Sequence, residues 1–166
     1  MRSLPQKASN ERDFCSIGAV SWSAILDHSL DAYPQEACGI LLCPGNRPGN
    51  ITDVYAARNV TSEDPATTYV MEPLELLHVQ KWAGQRQLEI CGFYHSHPDH
   101  PAVPSESDRQ YAWEGYLYLI LSLRNGIFAQ AGAWRWDPEE EFFQELTLLK
   151  HLHNPSAATI LPLRSN

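Results

Sequence analysis

Eight consecutive residues, Tyr116 to Leu123 (YLYLILSL), carry no charge and consist almost entirely of aromatic and aliphatic side chains. A run of this length and type suits a pleated, buried strand. The Asn125-Gly126 pair that follows is the signature of a tight hairpin turn, which returns a partner strand through about Trp136. A second apolar run, Cys38 to Cys43 (CGILLC), is too short for a helix and reads as another buried strand. Between and around these strands the period changes. Trp22, Ile25, Leu26 and Leu30 recur at helical spacing, which predicts a helix with Ser21 as N-cap, ending at Pro34. Pro73 suits the first turn of a second helix carrying Leu74, Leu77, His78 and Trp82. Leu88–His97 reads as a strand stopped by Pro98, Ser105 opens a short helix to about Trp113, and Phe142–Leu149 reads as a last strand. Further strands are expected over Ile51–Ala57 and Thr67–Met71. Strands interleaved with helices point to an α/β fold, a single-domain mixed β-sheet flanked by helices.

The chain of 166 residues is long enough for one domain and has no repeat or linker that would divide it. The polar first residues, 1–14, read as a flexible leader, 15–149 as the domain, and 150–166 as a polar, Pro- and Ser-containing tail. Twelve basic against twenty acidic residues give a net charge of −8. That balance opposes binding to a phosphate backbone, which needs a basic surplus, and to an anionic membrane surface. No apolar run approaches the roughly 18 residues of a membrane span, and the N-terminus lacks the apolar core of a secretory signal. The four cysteines form no C-x-x-C pair; in a reducing compartment they behave as small buried hydrophobes. A cytoplasmic protein is expected, with no nucleic-acid or membrane partner.

The chemistry concentrates between Gly92 and Asp108 (GFYHSHPDHPAVPSESD). On a strand, His95 and His97 project to one side, with Cα atoms roughly 6.6 Å apart, so both imidazoles can converge on one cation. Asp108, in the first turn of the helix opened by Ser105, can supply a third ligand if the proline-rich loop folds back over the strand end. Two imidazoles, one carboxylate and an open position make the donor set of a catalytic rather than a structural zinc site. Ser105 and Asp108 also have a plainer reading, since Ser-x-x-Asp is a near variant of the capping box. Cys91 shares the strand parity of the two histidines but lies roughly 13 Å along the strand, and is read as core. His100 is taken off the strand by its flanking prolines, His28 and His78 sit on helices, and His151 and His153 repeat His-x-His in the tail without a fixed acidic partner.

The whole pattern is longer: His95-x-His97, seven residues, Ser105, two residues, Asp108, with Glu36 upstream in Pro34–Gly39 (PQEACG). It resembles the JAMM motif of the MPN+ metallopeptidases over roughly residues 17–148, and looks most similar to the short prokaryotic members. The resemblance implies an MPN/JAB-like fold related to cytidine deaminases, and one Zn2+ per chain held by His95, His97 and Asp108. It also implies Glu36 as general base turned general acid and Ser105 as a hydrogen-bond donor to the oxyanion. Glu36 on its own would read as an exposed loop acid. The substrate class implied is the amide or isopeptide bond at the Gly-Gly tail of a ubiquitin-like or sulfur-carrier β-grasp protein. The alternatives are a non-catalytic MPN scaffold, which lacks one or more of these five residues, and a zinc deaminase, whose Pro-Cys-x-x-Cys is absent. A DNA-repair protein with a related core is opposed by the acidic charge.

Overall fold

The computed structural model describes residues 14–151 with their side chains and the backbone of Ile160–Leu161. Their elements are β1 (Phe14–Gly18), α1 (Ala19–Ala32), β2 (Cys38–Pro44), β3 (Asn50–Ile51), β4 (Asp53–Ala57), α2 (Pro73–Gly84), β5 (Leu88–Pro98), α3 (Glu106–Gln110), β6 (Leu117–Arg124), β7 (Ile127–Asp137), β8 (Phe142–His151) and β9 (Ile160–Leu161). The strands form one mixed sheet in the order β3-β1-β8-β7-β6-β5-β2-β4-β9. At its centre β5 runs parallel to β6 and antiparallel to β2. Both faces are covered, as the uncharged run in β6 requires. Against one face α1 packs Ile25 and Trp22 onto Leu41, Tyr94, Leu119 and Leu121. Against the other, α2 packs Val79 and Ala83 onto Cys38, Ile40 and Leu42. The expected α/β architecture is therefore the observed one.

Gly39 shows how tightly β2 and β5 approach. A Cβ there would overlap the ring of Tyr94 and the carbonyl of Tyr55, so only glycine leaves room for Tyr94 to lie across β2. The Tyr94 hydroxyl ends 2.8 Å from His28 Nδ1, which satisfies that helix histidine. A β-bulge interrupts the β2–β5 ladder: Leu41 pairs with Gly92 and Leu42 with Ile90, leaving Cys91 as the extra residue. The bulge resets the alternation, so Cys91 packs on the α1 side with Tyr94 and not on the face of His95 and His97. The parity expected for Cys91 is overturned, while its place in the core stands.

Other local expectations also change. Ser21 is not a cap: the N-cap is Gly18, three residues earlier, and the Ser21 hydroxyl is buried, donating to Thr52 O at 2.7 Å. Ile51–Ala57 splits at Thr52, because β3 pairs with β1 while β4 pairs with β2. Phe14–Gly18, to which the pattern assigned no strand, forms β1 against β8. Thr67–Met71 forms no strand; only Met71 makes an isolated bridge, to Asn59. The segment has a side-chain partner in place of a ladder: Asn59 Oδ1 accepts from Val70 N–H at 3.1 Å and Asn59 Nδ2 donates to Thr68 O at 3.0 Å. The helix opened by Ser105 stops at Gln110 rather than continuing to Trp113. His151 ends β8 and is exposed; His153 lies outside the described residues, as do residues 1–13 of the leader and most of the tail. Among the described residues no helix is long and apolar enough to cross a membrane.

Candidate metal centre

β5 delivers His95 and His97 to the face covered by α2, where both are buried. The loop 98–104 is irregular, as its three prolines demand, yet it is tied down from Asp99 to Ala102. Asp99 N–H donates to Leu123 O at 2.6 Å and Asp99 Oδ1 accepts from Asn125 N–H at 2.8 Å. His100 O accepts from Ser122 Oγ at 2.6 Å and Ala102 O from Trp134 Nε1 at 3.2 Å. Anchored on β6 and β7, the loop turns back and starts α3 over the end of β5. Ser105 caps that helix in a full capping box: its Oγ accepts from Asp108 N–H at 3.1 Å and its N–H donates to Asp108 Oδ2 at 2.6 Å. The Ser105 hydroxyl also donates to Oδ2 at 2.6 Å. Two hydrogen bonds on Oδ2 leave Oδ1 turned toward His95. Capping and site geometry are one arrangement here.

His95 Nε2 stands 3.0 Å from His97 Nε2 and 3.2 Å from Asp108 Oδ1, and His97 Nε2 stands 3.8 Å from Asp108 Oδ2. Ligand atoms about 2.0–2.1 Å from a tetrahedral ion lie about 3.3–3.4 Å from one another; the two separations from His95 Nε2 fall close to that edge length, and one ligand atom from each of the three residues lies within 4.8 Å of the others. The orientation suits a cation too. His97 Nδ1 donates to Pro101 O at 2.7 Å, which fixes the tautomer and leaves the Nε2 lone pair facing the cluster. His95 is almost completely buried and its Nδ1 has no hydrogen-bond partner among the described residues. A buried imidazole with one nitrogen unpaired and the other facing a second imidazole is costly by itself. A cation would not reach the unpaired Nδ1, but it would separate two Nε2 atoms that face each other beside a carboxylate, and that donor set fits a metal ion.

The charges are poised accordingly. Burial works against ionised Asp108, but His95, His97 and the Ser105 hydrogen bond outweigh it and hold the carboxyl well below its usual range. Burial lowers His95, the more enclosed of the two imidazoles. For His97 burial acts the same way, yet hydrogen bonds to Asp108 and Pro101 and the charge of Glu36 prevail and raise it. Glu36, between α1 and β2, is buried rather than exposed; burial pushes its carboxyl up to about 8, with His97 pulling it down and Asp108 pushing it up.

These groups sit in a cleft of about 1100 Å³ whose lining includes Glu36, His97, Ser105 and Asp108. His100 borders the cleft but is exposed and offers only its carbonyl to Ser122. The structure thus brings Glu36, His95, His97, Ser105 and Asp108 to one place. It adds residues that sequence reasoning missed. Tyr69 stacks on His95 with ring centroids 4.8 Å apart and planes at 29°. Phe93, Trp113 and Tyr118 form an aromatic wall, with the Phe93 ring 5.9 Å from Trp113 and 6.2 Å from Tyr118. Only the parity of Phe93 with His95 carried any signal for this wall.

Residues 19–137 match the family described as prokaryotic homologs of the JAB domain. The chain belongs to that family. This JAB-domain protein is 32% identical over 138 residues to a desampylase of Haloferax volcanii, covering 80% of this chain and 94% of the relative. It is 37% identical over 94 residues to a probable TtuB-protein conjugate cleaving protease of Thermus thermophilus, covering 57% of this chain and 60% of the relative. A solution structure of a Desulfitobacterium hafniense protein superposes on the JAB domain with a TM-score of 0.73 at 24% identity, over 86% of this chain and 96% of that one, which bears on the fold alone. A Salinibacter ruber protein does so with a TM-score of 0.62 at 29% identity, over 90% and 96%.

Proposed function

We propose that this protein is a zinc-dependent JAMM-type peptidase, with residues 15–149 as its catalytic unit, that hydrolyses an amide at the C-terminal tail of a ubiquitin-like or sulfur-carrier protein. The observation that carries the reading is the clustering of ligand atoms of His95, His97 and Asp108 within 4.8 Å of one another, at a cleft that Glu36 and Ser105 line. His95, His97 and Asp108 would hold one Zn2+, which when bound would acidify a water and polarise the scissile carbonyl. Glu36 takes the proton of the attacking water and hands it to the leaving amine, and a carboxyl whose pKa is raised toward neutrality suits both transfers. Ser105 turns its hydroxyl from Asp108 Oδ2 to the developing oxyanion, a rotation about one bond. The relatives named for desampylation and for cleaving TtuB-protein conjugates support this substrate class. Four free thiols suit a reducing, cytoplasmic setting.

The charge of the cleft favours one kind of leaving group. Among the described residues that line it none is Lys or Arg, while Glu36, Glu63, Glu72 and Asp108 are acidic. A leaving residue with a free α-carboxylate finds no counter-charge there, whereas the stem of a conjugated lysine can lie along Phe93 and Trp113. Amidation of the terminal carboxylate is therefore expected to raise kcat/KM for a tail ending one residue beyond Gly-Gly, measured against the free acid. Equal rates would refute the charge argument. For Ser105→Ala the expected loss in kcat is about 10²–10³-fold, as for other single oxyanion donors, accompanied by a modest drop in Tm from the lost cap. The assay that tests the function itself is metal analysis of the purified protein together with cleavage of carrier proteins bearing lysine conjugates or C-terminal extensions. Zinc-loaded protein that changes the mass of none of them would overturn it. The intact His-His-Asp cluster weighs against the non-catalytic scaffold reading.

A further inference from the structure

The Glu36–Ala37 segment precedes β2 and is held by other contacts than the strand ladder. Glu36 N–H donates to Pro65 O at 2.7 Å, and Glu36 O accepts from Asn59 Nδ2 at 3.2 Å. Ala37 N–H donates to Ser96 Oγ at 2.9 Å, while Ala37 O accepts from Ser96 N–H at 3.0 Å. Ser96 is the residue between the two histidines and is completely buried. Asn59 has every side-chain valence engaged. Its Nδ2 donates to Glu36 O and to Thr68 O at 3.0 Å, and its Oδ1 accepts from Thr61 N–H and Val70 N–H, both at 3.1 Å. The segment Thr61–Met71 that it organises forms one wall of the cleft and lays Tyr69 on His95. Neither Asn59 nor Ser96 lines the cleft.

We propose that Asn59 and Ser96 are positioning residues: together they suspend the Glu36–Ala37 peptide between the His-x-His strand and the cleft wall, and so set where the Glu36 carboxyl stands relative to His95, His97 and Asp108. The proposal rests on the reading of Glu36 as base. A carboxyl that must reach a water held at a fixed point works only within hydrogen-bond range. Its backbone precedes β2, and beside the bonds Glu36 N–H to Pro65 O and Ser96 N–H to Ala37 O the Asn59 and Ser96 side chains supply the remaining anchors. Ser96 ties the base to the strand that carries two of the three cluster residues, so the base moves with them. Asn59 ties it to the wall that the substrate tail would pass.

The test uses the full chain with Asn59→Asp, Ser96→Ala and Ser96→Thr. Asn59→Asp keeps the shape and the Oδ1 acceptor while removing the donors to Glu36 O and Thr68 O. Ser96→Ala removes the acceptor for Ala37 N–H, and Ser96→Thr restores it. In Asn59→Asp and Ser96→Ala, zinc content and zinc affinity by chelator competition stay at the wild-type level, and hydrogen exchange at the Glu36 and Ala37 amides becomes faster. On a carrier-protein conjugate kcat falls by about 10–100-fold, the scale of a misplacement near 1 Å, with KM little changed; Ser96→Thr recovers most of it. In a Glu36→Gln background neither substitution lowers the residual rate further, because the group it positions is already gone. Undiminished kcat, loss of zinc in step with loss of rate, or a full effect in the Glu36→Gln background would each overturn the proposal. Unchanged amide exchange in both variants would sink the clamp without touching the peptidase reading, whereas a zinc-loaded wild type that cleaves no conjugate would remove that reading and the positioning role with it.

Discussion

Glu36→Gln is expected to keep its metal and to lose turnover by about 10²–10⁴-fold, the range for removing a general acid–base group. The amide has the size of the carboxyl and can still hydrogen-bond a water, but it cannot accept the proton. Because no cluster atom is altered, zinc content by elemental analysis should match the wild type. The same substitution has a pH-dependent effect on stability in the metal-free protein. Burial holds the Glu36 pKa at about 8 in the folded chain, against about 4.3 for an unperturbed glutamate. Between those values the folded state binds the proton that the unfolded chain releases, so the wild type loses stability as pH rises through this window. Glu36→Gln has no such proton. Its Tm relative to wild type should therefore climb from pH 4.5 to pH 8 and level off above. A flat difference across that range would show that the carboxyl is not buried as described.

The second large effect is the loss of the cation itself. His97→Ala removes an imidazole whose Nε2 lies 3.0 Å from that of His95 and leaves two donors, too few to hold a divalent ion firmly. Zinc affinity should fall by more than the roughly 10–100-fold that follows loss of a residue merely orienting a ligand, and turnover should fall with it. Chelation of the wild type should reproduce the loss, and added Zn2+ should restore the wild type but not the variant at equal concentration. Asp108→Asn separates two roles. Its side-chain oxygen can still accept from Ser105 N–H and keep α3 capped, while the charge that draws the two histidines and the cation together is gone. Zinc loss with little change in Tm is expected there. Retention of zinc by both variants would place the ion elsewhere.

Much of this site was legible because its ligands obey local rules. His95 and His97 share a face by the two-residue period of a strand, and Ser105 with Asp108 follows the arithmetic of a helix start; both statements need no knowledge of the rest of the chain. Glu36 was different. It lies 59 residues before His95, and local pattern alone makes it an exposed acid; only its spacing in a recognised motif raised it, and only packing shows why it is buried. Thr67–Met71 failed as a strand for a related reason. Its composition suits a ladder, but the side chain of Asn59 takes the backbone groups that a ladder would use. At Cys91 the period itself broke, since a single extra residue in a bulge moves a side chain to the other face.

The order of residues along this chain was enough to determine an α/β domain of buried strands and amphipathic helices, because apolar periodicity reports which surfaces must leave water. It was also enough to put two imidazoles on one face of a strand and a carboxylate in a helix start, because those geometries are short-range and nearly invariant; the loop anchored on β6 and β7 brings them together. The meeting of those three with Glu36 needed the whole fold. β2 had to lie against β5, a glycine had to admit the Tyr94 ring, and Asn59 had to turn a loop into a wall. Such contacts join residues far apart in the chain, and no local period encodes them.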